Sequence, residues 1–225
     1  MKIAILLFDR LTALDAIGPY EVLSRLPGAT VTFVADEAGP KRTDTGQLAL
    51  TADASLAELP HPEVVLVPGG PGRQALMDDC PVHDWLRAAD ARSTWTTSVC
   101  TGSLVLAAAG LLTEAGGHSP PASIPGSASK RATSHWLALE ELRGLGVDAV
   151  PERVVFDGKH VTAAGVSAGI DMALALAARI AGDQVAQAIQ LGIEYDPQPP
   201  FDAGSPARAP VEIVEALRAR HAGLD

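Results

Sequence analysis

A chain of 225 residues with 47% apolar and 20% charged side chains is long enough to bury a sizeable core, in one or two domains, without disulfide staples. Its 17 Lys and Arg against 27 Asp and Glu leave a formal charge of −10 and a pI near 5.0, which argues against nucleic acid and anionic membrane surfaces as partners, since both need a basic face. Two cysteines make no disulfide framework, no His/Cys group has zinc spacing, and the opening run MKIAILLFDR is too short for a signal peptide or a membrane span, so a cytoplasmic setting with free thiols and no metal is expected.

In chain order, the apolar run Ile3 to Phe8 reads as a strand buried on both faces. Ala16 to Leu26 reads as a helix with Pro19 in its first turn and Pro27-Gly28 as its stop. Thr30 to Ala35 is a second strand, and the polar stretch Lys41 to Thr51 a small hairpin or excursion. Val64 to Val67 is another buried strand, running into Pro68-Gly69-Gly70-Pro71-Gly72. Pro81 to Ala91 reads as a helix with Trp85 and Leu86 on its apolar side, Trp95 to Val99 as a strand ending at Cys100, and Thr101 to Leu112 as an unbroken helix. Glu114 to Ser129, rich in Gly, Ser, Pro and Ala, reads as a flexible loop. Arg131 to Ser134 follows as a strand running parallel to the others, and Trp136 to Arg143 as a helix. Val154 to Phe156 and His160 to Ala163 flank Asp157-Gly158, a hairpin signal. Ser167 to Ala181 and Gln184 to Ile193 are helices broken at Gly182-Asp183. A Pro-rich stretch from Asp196 to Pro210 leads to a last helix, Val211 to about His221, with Ile213, Val214 and Leu217 as its apolar stripe. Strands alternating with helices imply an α/β fold with a mostly parallel sheet sandwiched by helices. No shift in composition marks a boundary, so one domain is expected over 1–225, with a flexible insertion at 113–129 and a C-terminal arm at 196–225.

The chemistry concentrates at Ser98-Val99-Cys100-Thr101-Gly102-Ser103, where an apolar strand runs straight into a helix. This is the layout of a nucleophile elbow. Such a turn is strained and lifts its central side chain above the carboxyl end of the sheet, where open parallel sheets bind ligands. It also sets Cys100 at a helix N-terminus, whose partial positive charge favours thiolate. The plain alternative is a small buried hydrophobe; Cys80, in a polar loop before a helix, reads as structural. Gly69 and Gly70 bring bare amides close to whatever occupies the site and form either an oxyanion hole or a simple tight turn. A phosphate-binding loop would need a Gly-Lys-Ser/Thr ending that is missing here. Asp15 either caps the first helix or stands at the same sheet end as Cys100 as a general acid or base, its pKa raised by apolar Leu14 and Ile17. His135, at the carboxyl end of a predicted strand, either pairs with Cys100 or is satisfied by backbone at a helix start; His61, His83, His118, His160 and His221 read as solvent-facing.

Six segments carry a family resemblance: LTALDAIGPYEVLSRLP, VPGGPGRQALM, TSVCTGSLVLAAAGLL, KRATSHWLALEEL, ERVVFDGKHVTAAGVSAGIDMALALAA and EYDPQPPFDAGSP. In this order they resemble the DJ-1/ThiJ/PfpI superfamily over nearly the whole chain, and within it the isocyanide hydratases. The resemblance implies a flavodoxin-like fold in which Cys100 is the elbow nucleophile, Thr101 its following threonine, Asp15 the catalytic aspartate, and Gly69 and Gly70 the paired glycines. Thr101 stands where peptidase-like members carry His, and Asp15 where glyoxalase-like members carry Glu; both favour the hydratase branch. Related regulators add a helix-turn-helix region, for which this chain has no length left. The stretch Thr113 to Ser129 is longer than the family's usual connection, and Ala163-Ala164 replaces glycine, which would tighten a pocket near Gly165 and Val166. The implied activity hydrates an isocyanide to an N-substituted formamide through a covalent thioimidate on Cys100, in a homodimer without a cofactor. Asp15 would supply the proton, while the Thr101 and Gly70 amides and the Thr101 hydroxyl orient the substrate. A glyoxalase-like enzyme and a cysteine redox sensor are the alternatives.

Overall fold

A computed structural model describes residues 1–113 and 129–222. The insertion expected at 113–129, His118 included, lies outside the described residues except at its two ends. The chain divides into two units, Met1–Ile193 and Glu194–Asp225.

The first unit opens with β1 (Lys2–Leu6), α1 (Ala13–Leu23), β2 (Thr30–Ala35), β3 (Gly39–Arg42), β4 (Ala49–Ala52), β5 (Ala54–Ser55) and β6 (Val64–Val67). It continues with α2 (Pro81–Asp90), β7 (Trp95–Val99), α3 (Gly102–Ala108), β8 (Arg131–Ala132), α4 (Leu139–Gly144), β9 (Asp148–Ala149), β10 (Val154–Asp157), β11 (His160–Ala163), α5 (Ala168–Ala181) and α6 (Asp183–Gly192). Seven strands form one sheet in the order β10-β11-β7-β6-β1-β2-β5, with only the β10–β11 hairpin antiparallel, at the Asp157-Gly158 turn where the sequence placed it. Ile3 to Leu6 and Val64 to Val67 are buried at every position, as unbroken apolar runs must be in a sheet covered on both faces. Helix α1 packs on α5, and α3 on β6 and β7.

Three local readings needed correction. Helix α1 starts at Ala13, three residues earlier than expected, so Pro19 lies in its interior and withholds the amide that would otherwise bond the Asp15 carbonyl. Helix α3 stops at Ala108 rather than Leu112. Gly110 adopts φ +80, its N–H bonds the Ala107 carbonyl and that of Leu111 bonds the Leu106 carbonyl, a glycine C-terminal stop that the apolar pattern runs through. Finally, β8 joins β9 in a separate two-stranded sheet rather than the main one. Its direction is nevertheless the expected one. Lys130 reaches His160 at the start of β11, whereas Ser134 reaches the Cys100 carbonyl beyond the end of β7.

Two of the histidines read as solvent-facing are buried. His83 bonds the Leu76 carbonyl at 2.9 Å. His160 bonds Asp90 at 3.0 Å and Lys130 at 2.8 Å. His83 lies beside the buried Val82, Leu86 and Ala89 face of α2, and His160 opens β11, which is buried at every position. In the second unit, α7 (Val211–Ala222) leaves Val211, Ile213 and Leu217 exposed. Among the described residues no helix is long and apolar enough to cross a membrane.

Candidate active site

Strand register decides what meets at the carboxyl edge of the sheet. Val67 pairs with Ser98, and Val99 with Ala163, so β6, β7 and β11 end side by side. The turn 68–72, Cys100 and the segment 164–167 therefore converge. Cys100 sits between β7 and α3 with φ +58, a left-handed conformation uncommon for a residue with a side chain. Its surroundings hold that strain in place. The Cys100 N–H reaches the Ala163 and Ala164 carbonyls, each at 3.1 Å, while its own carbonyl accepts the hydroxyls of Ser103 at 3.2 Å and Ser134 at 3.1 Å.

Asp15, the third residue of α1, is fully buried and is no helix cap. Its Oδ2 accepts the Gly69 N–H at 2.9 Å, and its Oδ1, also buried, has no hydrogen-bond partner among the described residues. Burial raises its pKa; hydrogen bonds from Gly69 and Cys100 oppose this, and the Asp44 carboxylate adds to it, leaving the group at about 7. The upward direction was expected, but its source is different. Leu14 is 40% exposed and Ile17 only half-buried, so the enclosure comes from the turn and elbow instead. A Cβ on Gly69 would stand 2.6 Å from the Thr101 N and Oγ1 and 3.0 Å from Asp15 Oδ2, so only glycine lets the turn close this tightly over the acid.

Cys100 corrects the expectation of a resting thiolate. It is only 6% exposed, and burial, followed by the Asp15 charge, pushes its thiol well up; the Thr101 and Val166 amides pull the other way and lose. The two glycine amides expected to form an oxyanion hole are already engaged: Gly69 holds Asp15, and Gly70 donates to Thr101 Oγ1 at 3.0 Å. The amides directed at the sulfur are those of Thr101 and Val166. A carboxyl raised towards neutrality, with one oxygen unpartnered, and a buried thiol thus share one enclosed spot.

A profile of the DJ-1/PfpI family matches residues 1–179. The chain belongs to the DJ-1/PfpI family. It is 42% identical to an isonitrile hydratase of Pseudomonas putida over 222 residues, which cover 99% of this chain and 90% of that protein. The crystal structure of a ThiJ/PfpI family protein from Pseudomonas syringae matches with a TM-score of 0.88 and 35% identity, over 99% of this chain and 86% of that one. Drosophila melanogaster DJ-1beta shares the fold at a TM-score of 0.71 and 22% identity, over 87% of this chain and 98% of its own.

In this DJ-1/PfpI chain the remaining candidates line the same edge. Val166 has φ +43 and presents its amide to the sulfur. A Cβ on Gly165 would stand 2.4 Å from His135 Cδ2, so the His135 ring lies directly against this backbone. His135 Nδ1 accepts the Leu137 N–H at 3.3 Å, starting the short 3-10 turn Trp136–Ala138. Cys80 is the N-cap residue of α2. Ser103 falls within the elbow stretch, whereas Ser134 and Asp44 give no signal of their own, since isolated Ser and Asp residues carry no spacing pattern, although Ser134 lies within RATSHW. Among the described residues no group of three or more His, Cys, Asp and Glu could hold a metal ion. An open cleft of about 430 Å³, lined by Arg25, Pro27, Val185, Ala188 and Ile189 among others, contains none of the site residues.

Proposed function

We propose that the chain is an isocyanide hydratase, converting R–NC and water to R–NH–CHO through a covalent Cys100 thioimidate. The observation that carries this reading is the unpartnered, buried Oδ1 of an aspartic acid poised near pKa 7 beside Cys100. The name and full-length similarity of the Pseudomonas putida relative support it. An isocyanide carbon is a weak base that becomes a strong electrophile once protonated. A neutral carboxyl with one oxygen fixed by Gly69 and the other free is suited to deliver that proton. Asp15 gives its proton to carbon and recovers one from the Cys100 thiol as sulfur bonds to the same carbon, leaving R–N=CH–S–Cys. The Thr101 and Val166 amides stabilise charge developing on sulfur during this transfer. Asp15 then protonates the imine nitrogen and its carboxylate takes a proton from the attacking water. The resulting R–NH–CH(OH)–S–Cys collapses as the hydroxyl proton returns through Asp15 to sulfur, releasing the formamide and the thiol. The Thr101 hydroxyl, which accepts from Gly70, keeps its own proton to orient the substrate. A high thiol pKa weighs against the alternative of a readily oxidised sensor cysteine, because oxidation follows thiolate character.

The test is a panel of an aryl isocyanide, methylglyoxal and hydrogen peroxide, with product analysis and mass spectrometry of Cys100. Formamide release with a transient adduct on Cys100 is expected, and turnover confined to methylglyoxal would overturn the assignment. We further propose a homodimer, supported by the exposed apolar residues Val211, Ile213 and Leu217 of α7. Sedimentation at micromolar concentration decides it, a species of 23.2 kDa being the refuting result.

A further inference from the structure

We propose that Asp44, on the β3–β4 hairpin, is a positioning residue that keeps the Asp15 proton in place through neutral pH. This rests on the hydratase reading for its consequence, but not for its test. Thr12 is the N-cap of α1, a place where a threonine hydroxyl normally accepts a backbone N–H of the first helical turn. Here it makes no such bond and donates instead to Asp44 Oδ2 at 2.9 Å. The hairpin is tied to the same stretch at three further points. The Asp44 N–H bonds the Leu11 carbonyl at 2.9 Å, the Arg10 N–H bonds the Arg42 carbonyl at 2.6 Å, and Leu11 bridges Thr43. Thr12 in turn donates its N–H to the Gly69 carbonyl at 2.9 Å, and Gly69 holds Asp15. A half-buried carboxylate is thereby fixed by one hydrogen bond to Thr12, whose carbonyl accepts the Asp15 N–H at 3.1 Å and whose own N–H holds the turn that supports the acid.

The groups around the pair leave few other sources of charge. The elbow offers Asp15 the Cys100 thiol, the turn 69–72 offers amides and runs into Arg73, which is paired with Glu141, the stretch before Thr12 carries exposed Arg10 and Asp9, and α5 carries Asp171, which is paired with Arg153. Asp44 itself accepts from the Thr12 hydroxyl and the Thr45 N–H, and takes part in no ion pair among the described residues. Its hairpin neighbour Lys41 is committed to Asp36, and Arg42 reaches the Gln47 carbonyl. An anion without a counter-cation disfavours ionisation of a neighbouring acid, as in paired catalytic carboxylates. Without Asp44, Asp15 would lose its proton at lower pH and the fraction of enzyme able to donate at pH 7 to 8 would shrink.

The experiment titrates the Asp15 carboxyl by carbon-detected NMR in protein labelled with 13C-aspartate, with the signal assigned from the Asp15→Asn spectrum. It needs no substrate, so it stands even if the chain hydrates no isocyanide. Asp44→Asn keeps an acceptor for Thr12 and removes the charge; the Asp15 midpoint should fall by about 0.5 to 1 pH unit. Asp44→Ser is a second neutral variant with the same expected direction, and Asp44→Glu, which restores the charge, should stay closer to wild type than either. With an isocyanide substrate, kcat/KM at pH 8.5 should fall about three- to tenfold in Asp44→Asn, following the same midpoint. An unmoved or raised midpoint in the neutral variants overturns the proposal, as does a Glu variant that shifts as far as Asn. Failure of both neutral variants to fold also overturns it, since the carboxylate would then be holding the hairpin together.

Discussion

Replacing Asp15 with Asn separates the chemistry of this site from its stability, because a buried acid held near pKa 7 must weaken the fold when it ionises. Its ordinary value is 3.8 and its folded value about 7. The folded state therefore favours the protonated acid. The associated stability is fully present below pH 3.8, declines as pH rises, and is gone above about pH 7. At 1.36 kcal/mol per unit the full loss is about 4 kcal/mol, of which about 2 kcal/mol falls between pH 5.5 and 8.5. Asparagine is neutral throughout and its carbonyl can still accept the Gly69 N–H, while its NH2 takes the place of the unpartnered Oδ1. A buried donor without a partner costs about 1 to 3 kcal/mol at every pH. Asp15→Asn should thus be near neutral or destabilising at pH 5.5 and gain about 2 kcal/mol relative to wild type by pH 8.5. Urea unfolding at fixed protein concentration reads this directly. Turnover should fall about a hundredfold or more at both pH values, because the amide cannot supply the proton. A stability difference that does not change with pH would show that Asp15 ionises normally in the fold. Comparable turnover would remove it from the mechanism.

Cys100→Ala should abolish formamide release, whereas Cys80→Ser should behave like wild type; turnover surviving in the Ala variant refutes the covalent route. Wild-type kcat/KM should be level in mild acid and decline above pH 7 as Asp15 loses its proton, and a profile rising through that range would assign the group the role of base instead. Gly69→Ala sets a methyl group 2.6 Å from Thr101 N and Oγ1, and the resulting displacement of acid and elbow should cost on the order of a hundredfold in rate. Asp90 behaves oppositely to Asp15: burial alone would raise it, but hydrogen bonds from His160 and Thr96 outweigh that and hold it well below the usual carboxylate range. Its contribution to stability is present above the ordinary carboxylate pKa and lost below it, so Asp90→Asn should lower stability by about 1 to 3 kcal/mol at pH 7, with the gap closing in acid urea titrations.

Much of the fold was legible because the buried strands are short apolar runs closed by turn residues. Val64 to Val67 and Trp95 to Val99 were placed to the residue, and the carboxyl edge followed from their parallel direction. What escaped was local in cause. Gly110 ends α3 through its backbone conformation, which an apolar period cannot register. The strand β5 is two residues long, too short for any alternation. At the site, Cys100, Asp15 and Thr101 were identifiable as residues, but the state of the thiol was not. A helix N-terminus argues for thiolate, and only the three-dimensional enclosure shows that burial outweighs it. The paired glycines of the turn were visible in the sequence, whereas the partners of their amides, Asp15 and Thr101, were not readable from the turn itself.

The contrast between Asp15 and Asp90 distinguishes the two edges of the sheet. The same two strands serve both aspartates: β7 and β11 carry Thr96 and His160 at their starts, beside Asp90, and lead into Cys100 and the segment 164–166 at their ends. At the amino edge the carboxylate receives a threonine hydroxyl, an imidazole and a lysine, so it ionises readily and has no proton to give. At the carboxyl edge the acid receives one amide and a thiol in an enclosed spot, so it keeps its proton near neutrality. Burial is the largest influence on Asp15, whereas at the less buried Asp90 hydrogen bonds and cationic neighbours outweigh it. A polar donor introduced next to Asp15 Oδ1 would oppose that burial and should lower the pKa of the acid, so that less of the protein carries its proton at neutral pH. Such a substitution would leave Cys100 and Thr101 in place and still slow the proton transfer on which the proposed reaction depends.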